Sequence, residues 1–130
     1  MKVLVAGASG LLGLQLCRAL CAAGERVRAL HLPGDPLPAD AGIEVEDWPA
    51  DLRDARAMAR AVEDCEHVYH AAGNVSYARR DAAQLHAVHV VGTHNLAAAA
   101  HRAGVTRFLY TSSVAAIGYA PGSLADENTP

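Results

Sequence analysis

The sequence feature that most constrains the fold is a set of three evenly spaced glycines close to the N-terminus. Gly7, Gly10 and Gly13 follow a short apolar run at residues 3–5 and precede a stretch with helical periodicity. In a turn between a strand and a helix, the first glycine permits the tight bend, the second lets the backbone approach a pyrophosphate, and the third lets helix and strand pack closely. Free N–H groups at the start of such a helix bind an anion. The spacing therefore predicts a dinucleotide-binding turn.

Residues 7–13 are called the glycine turn below. Its predicted ligand contacts are Gly7, Ser9, Gly10, Leu11, Leu12 and Gly13. The alternative is a glycine-rich connection that binds nothing, but a position between a strand and a helix favours dinucleotide binding. A P-loop for nucleoside triphosphates is excluded, because no Gly-Lys-Ser/Thr follows the glycines.

Apolar runs alternate with helical periodicity along the whole chain. The sequence predicts strands at residues 3–5, 27–31, 43–48, 66–70 and 107–111, and helices at residues 11–23, 54–64 and 81–103. Such alternation is typical of an α/β protein with a parallel sheet. Right-handed crossovers then give a doubly wound, Rossmann-type order 3-2-1-4-5, which we expect to be incomplete at the C-terminus. Ligands of such sheets bind beyond the carboxyl ends of the strands.

Composition and charge narrow the class of protein. The chain has 130 residues, 52% hydrophobic and 19% charged, which is typical of one globular domain. Residues 31–66 carry ten acidic and three basic side chains, and this acidic middle argues against a nucleic-acid partner. No apolar run reaches the roughly 18 residues of a membrane span. The three cysteines favour a reduced, cytoplasmic protein. We predict a small-molecule substrate. Whether the chain forms a homodimer or stays a monomer is left open.

Five further motifs follow the predicted strands and helices in order. They are Asp51-Leu52, residues 70–73 (HAAG), residues 90–95 (VVGTHN), residues 111–113 (TSS) and residues 126–130 (DENTP). With the glycine turn, they resemble the N-terminal part of the extended short-chain dehydrogenase/reductase superfamily, which includes the NAD-dependent epimerases and dehydratases. Residues 75–77 and 112–118 are more similar to dihydroflavonol reductases and hydroxysteroid dehydrogenases than to sugar epimerases.

The resemblance implies roles for the residues that follow the last three strands. Asp51 would accept a hydrogen bond from the adenine amine, and Leu52 would pack on the ring. The residues implied to line the cofactor are Ala71, Ala72, Gly73, Thr111 and Ser112. Ser113 would be the catalytic serine that orients the substrate oxygen; the alternative is that Ser112 and Ser113 only bind backbone groups at the strand end.

The choice between NAD and NADP stays open at the sequence level. An NAD site usually has Asp or Glu at the end of the second strand, but that position is His31, followed by Leu32. His31 could bind a ribose hydroxyl when neutral or a phosphate when charged; the alternative is an exposed histidine at the edge of a loop. Asp35 could also reach the ribose, although loop residues are poor anchors.

One part of the implied chemistry is missing. In the resembling family, a Tyr with a Lys four residues later donates the proton for carbonyl reduction. No Tyr-x-x-x-Lys occurs in this chain, whose only lysine is Lys2. We therefore expect residues 1–130 to be the NAD(P)-binding domain of a longer oxidoreductase that interconverts a ketone and an alcohol, inactive by itself. A nucleotide-sugar epimerase or dehydratase and a non-catalytic regulatory module are the alternatives.

Cysteine and histidine do not form a recognisable metal motif. Cys17 and Cys21 lie one turn apart on the first predicted helix and are interpreted as small buried hydrophobic residues. Four histidines on the 81–103 helix lack carboxylates or thiolates at ligand spacing and are interpreted as helix surface or a subunit contact. One of them, His89, replaces the Asn that begins the family's N-V-x-G-T-x-N motif. Asn95 is retained and is expected to tie the helix to a neighbouring loop.

Overall fold

The five strands found in the described part of the chain run parallel in one sheet. The computed structural model describes residues 1–117, 121–122 and 124–129. Its strands are β1 (Lys2–Ala6), β2 (Arg26–His31), β3 (Glu46–Pro49), β4 (His67–His70) and β5 (Arg107–Tyr110). They are ordered β3-β2-β1-β4-β5, and every neighbouring pair is parallel. The predicted doubly wound, Rossmann-type order is therefore confirmed.

Helices connect successive strands except between β2 and β3. They are α1 (Leu11–Ala22), α2 (Ala55–Ala61), α3 (Ala82–His86) and α4 (Thr93–Arg102), with short 3-10 helices at Arg79–Asp81 and Val114–Ala116. Among the described residues, no helix is long and apolar enough to cross a membrane.

Most element boundaries agree with the prediction within one residue, and three elements differ by more. The helix predicted over residues 81–103 is present over residues 82–102, but it is not α-helical throughout, because a π-helical segment (Ala87–Gly92) lies between α3 and α4. Its wider turn inserts an extra residue per turn, which apolar periodicity does not reveal. The third strand begins at Glu46 rather than at residue 43, because Ile43 and Val45 pack on the sheet from an irregular segment. Helix α2 ends before residue 64, where Asp64 has a left-handed backbone (φ 60°).

Strand β1 is buried on both faces because helices cover the sheet from two sides. Side chains alternate along a strand, so Leu4 and Ala6 belong to one hydrophobic cluster, and Val3 and Val5 belong to the other. Cys17 of α1 is fully buried in the second cluster, which confirms its interpretation as a small hydrophobic residue. Burial raises the pKa of the Cys17 thiol to about 11.

A buried arginine joins β2, β3 and the end of α2. The Arg28 guanidinium donates to the carbonyl oxygens of Ala61 (2.6 Å) and Glu63 (3.0 Å), which lie at the C-terminus of α2. Its other terminal nitrogen lies 3.0 Å from a carboxylate oxygen of Glu46, and the group stacks 4.3 Å from the centre of the Trp48 ring. A cation is favourable at this end of a helix, where carbonyl groups lack intrahelical partners.

Candidate functional site

A cleft of about 370 Å³ opens at the carboxyl ends of β1, β2 and β4. The chain leaves β1 toward β2 on one side and reaches β4 on the other, so the cleft lies where the strand order reverses, the usual ligand position in open α/β sheets. Nine predicted site residues line it: Gly7, Ser9, Gly10, His31, Asp51, Leu52, Ala71, Ala72 and Gly73. The sheet therefore brings together the predicted contacts that follow four of its strands.

The glycine turn is packed tightly against the segment after β4. Gly7 has φ +85°, and a Cβ there would lie 2.6 Å from backbone atoms of Ala72. A Cβ on Gly13 would lie 1.9 Å from the carbonyl oxygen of Gly7, whereas one on Gly10 would lie 3.3 Å from the same atom. Gly7 and Gly13 are thus required by packing, while Gly10 lines the cleft and precedes α1 without a side-chain cap. The structure thus agrees with the turn and packing roles predicted for Gly7 and Gly13, and the pyrophosphate contact predicted for Gly10 stays a prediction.

Leu11, Leu12 and Gly13 do not line the cleft. Leu11 is 88% exposed, Leu12 is half exposed, and Gly13 lies beneath Gly7. The groups that these residues can offer an anion are the backbone N–H groups that open α1. Their part in ligand binding stays a prediction.

Asp51 is oriented by Arg53, a neighbour that the sequence analysis did not single out. The Arg53 guanidinium donates to both carboxylate oxygens of Asp51, and the Arg53 backbone N–H donates to one of them as well, at 2.9 Å. These hydrogen bonds hold the pKa of Asp51 below its usual range. The negative carboxylate can accept a further hydrogen bond from an amine in the cleft, as predicted for adenine.

His70 anchors the beginning of the cofactor-lining segment from inside the protein. Its side chain is 1% exposed, and its Nδ1 accepts a 3.3 Å hydrogen bond from the Ala72 backbone N–H. The proton must then sit on Nε2, which donates to Thr93 Oγ1 at 2.9 Å. Burial, with a smaller contribution from His89, lowers the pKa of His70 to about 4. The neutral ring therefore fixes Ala72 directly below the glycine turn.

His89 contacts the next residues of the same segment. Its Nε2 lies 2.7 Å from the Asn74 carbonyl oxygen, and a Cβ on Gly73 would lie 2.9 Å from its ring. The interpretation as helix surface is thus wrong for His89, because the π-helical segment carries its ring against this loop. The other three histidines of this region, His86, His94 and His101, are exposed as predicted.

Asn95 makes the predicted contact between helix and loop. Its side-chain amide donates to the carbonyl oxygens of Leu52 (3.1 Å) and Arg53 (3.2 Å). A Cβ on Gly92 would lie 2.8 Å from Leu52 Cβ, so the same loop also packs closely on the π-helical segment. The position of Asp51-Leu52 is therefore fixed from the helix side.

Thr111, Ser112 and Ser113 follow β5 but do not line the cleft. All three are exposed, and Ser113 Oγ accepts a 3.2 Å hydrogen bond from the Ala115 N–H at the start of a 3-10 turn. Their roles toward cofactor and substrate stay predictions. Gly118 and Pro130, which end two of the predicted motifs, lie outside the described residues.

His31 is buried at the end of β2, so the alternative of an exposed histidine at a loop edge is wrong, and its contact with a cofactor stays a prediction. It lines the cleft, but it is 4% exposed rather than a histidine at an exposed loop edge. Its Nδ1 lies 2.8 Å from the Leu32 carbonyl oxygen and its Nε2 lies 2.9 Å from a carboxylate oxygen of Asp47. Both ring nitrogens therefore already have partners in the protein.

A second depression of about 920 Å³ lies at the opposite edge of the sheet. It is larger and more open than the cleft, and it is lined by the beginnings of β1 and β2, the end of α1 and residues 41–46. None of the predicted site residues lines it. Size alone therefore does not identify the functional site here.

Known proteins are similar to this chain in sequence. Residues 3–130 match the NAD dependent epimerase/dehydratase family. The chain is 44% identical over 128 residues to "Sterol demethylase protein B" of Methylococcus capsulatus, which covers 98% of this chain and 39% of that protein. It is 37% identical over 118 residues to a 3 beta-hydroxysteroid dehydrogenase/Delta 5→4-isomerase of Mycobacterium tuberculosis, which covers 86% of this chain and 31% of that protein.

Solved structures share the fold. A short-chain dehydrogenase/reductase superfamily protein from Agrobacterium tumefaciens, crystallised with bound NAD, has a TM-score of 0.76 and 34% identity over 87% of this chain and 33% of its own. The chain thus spans less than two fifths of the length of these three proteins. The family is NAD-dependent, in agreement with the predicted cofactor, NAD or NADP. By its match over residues 3–130 and its glycine turn, the chain belongs to the NAD-dependent epimerase/dehydratase family, among the extended short-chain dehydrogenases/reductases that its motifs resemble.

Proposed function

We propose that the chain is the NAD(P)-binding domain, residues 1–130, of an oxidoreductase that interconverts a ketone and an alcohol by hydride transfer. The observation that carries this proposal is the glycine turn, packed on the segment after β4 and lining a cleft at the reversal of strand order. The turn supplies backbone N–H groups for a pyrophosphate. Asp51 and Leu52, which also line the cleft, supply a carboxylate and an apolar surface for adenine.

A small-molecule ketone or alcohol is supported by the relatives and by two segments of the chain. A hydroxysteroid dehydrogenase is among the relatives, and residues 75–77 and 112–118 resemble such enzymes. In this proposal Ser113 orients the substrate oxygen. The family description also includes epimerases and dehydratases, so a nucleotide-sugar substrate is the second candidate. The free thiols of Cys17, Cys21 and Cys65 fit a reduced, cytoplasmic setting.

The proposal assigns binding, but not turnover, to these 130 residues. Lys2 lies at the start of β1, at the sheet edge opposite the cleft, and its ammonium pairs with Glu46 at 3.0 Å. It is the only lysine in the chain. A tyrosine without an ammonium neighbour titrates near pH ~10 and exchanges protons poorly at neutral pH. We expect no steady carbonyl reduction by NADH or NADPH with this chain alone.

The test is a titration of NADH and NADPH followed by their fluorescence. We expect the chain to bind at least one of them and Gly10→Val to abolish binding, because a branched side chain would block approach of the pyrophosphate. Ala22→Val adds the same side chain at the exposed, opposite end of α1 and is the matched control. Unchanged affinity in a folded Gly10→Val variant would overturn the proposal.

A further inference from the structure

The segment that follows β4 and lines the cleft is held from behind at two points. Residues 71–74 form this segment, which is called the β4 wall below, and all four line the cleft. The first point is Ala72, which is bound by the ring of His70. The second point is Asn74, which is bound by the ring of His89. The two histidines hold the wall in different ways.

The contact at Ala72 is complete in a single state of the His70 ring. The Ala72 N–H donates to His70 Nδ1, and His70 Nε2 donates its proton to Thr93 Oγ1. One tautomer of the neutral ring therefore satisfies both contacts. Burial lowers the pKa of His70 to about 4, so the ring is neutral at neutral pH. The Ala72 end of the β4 wall is fixed.

The contact at Asn74 is different, because one nitrogen of His89 faces two backbone groups. His89 Nε2 lies 2.7 Å from the Asn74 carbonyl oxygen and 3.2 Å from the Asn74 backbone nitrogen, whose N–H is directed at it. With a proton, Nε2 donates to the oxygen but cannot accept from the N–H. Without a proton, it accepts from the N–H but leaves the oxygen without a donor. No protonation state of His89 therefore satisfies both groups of Asn74.

The His89 ring is also a packing partner of the β4 wall. A Cβ on Gly73 would lie 2.9 Å from His89 Cε1, so the ring packs closely on the glycine that precedes Asn74. Beyond Asn74, the side chains of Val75 and Tyr77 are 80% and 98% exposed and add little packing of their own. The position of Asn74 therefore depends strongly on His89.

We propose that His89 positions the Asn74 end of the β4 wall for dinucleotide binding, and that its single contacting nitrogen leaves this end incompletely ordered until the dinucleotide binds. The inference rests on the proposed dinucleotide binding and adds to it a residue that acts from behind the cleft. Ordering a segment on binding lowers affinity. A side chain that bound both backbone groups of Asn74 should therefore raise the affinity above that of the wild type.

Glutamine is the side chain that tests this proposal. Its amide carries both a donor and an acceptor, and the amide nitrogen is separated from Cα by as many bonds as Nε2 of histidine. We therefore expect His89→Gln to bind both the N–H and the carbonyl oxygen of Asn74. His89→Phe keeps a ring that can pack on Gly73 but has no hydrogen-bonding atom, and His89→Ala removes both contributions.

The experiment measures the dissociation constants of NADH and NADPH for the 130-residue chain and these variants by fluorescence titration. For the dinucleotide that binds more tightly, His89→Ala should weaken binding about tenfold and His89→Phe about fivefold, while His89→Gln should strengthen it about threefold, as expected for the loss or gain of one hydrogen bond. His86→Ala makes the alanine change at an exposed histidine one turn earlier, and should leave the affinity unchanged.

The outcomes separate this inference from the proposed function. If a dinucleotide binds the wild type, but His89→Gln binds as weakly as His89→Phe, or His86→Ala weakens binding as much as His89→Ala, the role of His89 is overturned and dinucleotide binding stands. If neither dinucleotide binds, both are overturned. Circular dichroism checks that each variant is folded. If His89→Ala is unfolded, the roughly fifteenfold difference expected between His89→Gln and His89→Phe decides the question.

Discussion

The centre of the sheet and its β5 edge differ in how completely the chain covers them. The centre is called the packed side below, and the β5 edge is called the exposed side. In the centre, residues 3–6 of β1 are fully buried between helices on both faces. At the β5 edge, Leu109 and Tyr110 are nearly half exposed, and Val114 is 86% exposed. The proposed chemistry divides in the same way, since the cleft lies on the packed side and Ser113 on the exposed side. Packing within these residues therefore fixes the positions of the groups that line the cleft, but not the position of Ser113.

The strongest test of the packed side is Gly7→Ala. Its Cβ would lie 2.6 Å from the Ala72 backbone, which side-chain rotation cannot relieve. We expect the free energy of unfolding to fall by about 3 kcal/mol or more, measured with urea. Gly24→Ala is the control, because Gly24 has a similar φ (+80°) with nothing within 4 Å. It should cost only about 1 kcal/mol. Equal losses would mean that backbone strain, and not the close packing, requires Gly7.

The second test concerns His70, at the end of β4, whose ring packs beside Phe108 and Tyr110 of β5. Its pKa is about 4 in the folded chain and 6.5 as an ordinary value, so the unfolded chain takes up the proton first as the pH falls. Its contribution to stability is complete above pH 6.5 and is lost between pH 6.5 and about 4. The loss should reach about 3 kcal/mol. Unfolding measured across this pH range should show it in the wild type and in His101→Asn, whose histidine is exposed, but not in His70→Asn.

A smaller effect is expected for the adenine contact. Asp51→Ala should weaken dinucleotide binding by about 1–2 kcal/mol, because it removes one charge-assisted hydrogen bond. Nicotinamide hypoxanthine dinucleotide lacks the adenine amine and provides the matched ligand. In its reduced form, this analogue should bind the wild-type chain more weakly than NADH does, and the two ligands should bind Asp51→Ala equally. Equal binding of the two ligands to the wild-type chain would count against this contact.

The smallest effect is expected on the exposed side. Ser113→Ala should change the free energy of unfolding by less than about 0.5 kcal/mol and leave NADH affinity unchanged. Asp54→Ala provides the comparison on the packed side. The Asp54 carboxylate caps α2 through the N–H groups of Arg56 and Ala57, so its removal should cost about 1 kcal/mol. A loss of NADH binding in Ser113→Ala would show that the two sides are coupled.

Local signals in the sequence were sufficient for most of the fold. The strand order and the packing roles of Gly7 and Gly13 follow from spacing and from residue types that only one backbone conformation suits. The interruption by the π-helical segment has no such signal, because it preserves helical periodicity on either side. Its consequence, the contact of His89 with Asn74, was therefore also missed.

The site was less predictable where distant residues meet. Arg53 was overlooked because its function depends on the direction of its side chain toward Asp51. Asp35 was considered a poor anchor because the hydrogen bond that its carboxylate accepts from the Ser9 hydroxyl is not visible in the order of residues. Both cases depend on three-dimensional contacts between loops, for which the sequence has no periodic pattern.

The central position of β1 has a consequence for the order of folding. Val3 pairs with Val27 on one side and with His67, more than 60 residues further along the chain, on the other. During synthesis, β1 emerges before both of its neighbours, and it pairs on its second side only after β4 has been made. Non-local parallel pairing of this kind slows folding and prolongs the exposure of apolar surface. The arrangement that places the glycine turn at the centre of the sheet therefore also leaves β1 in need of protection from aggregation until β4 has been made.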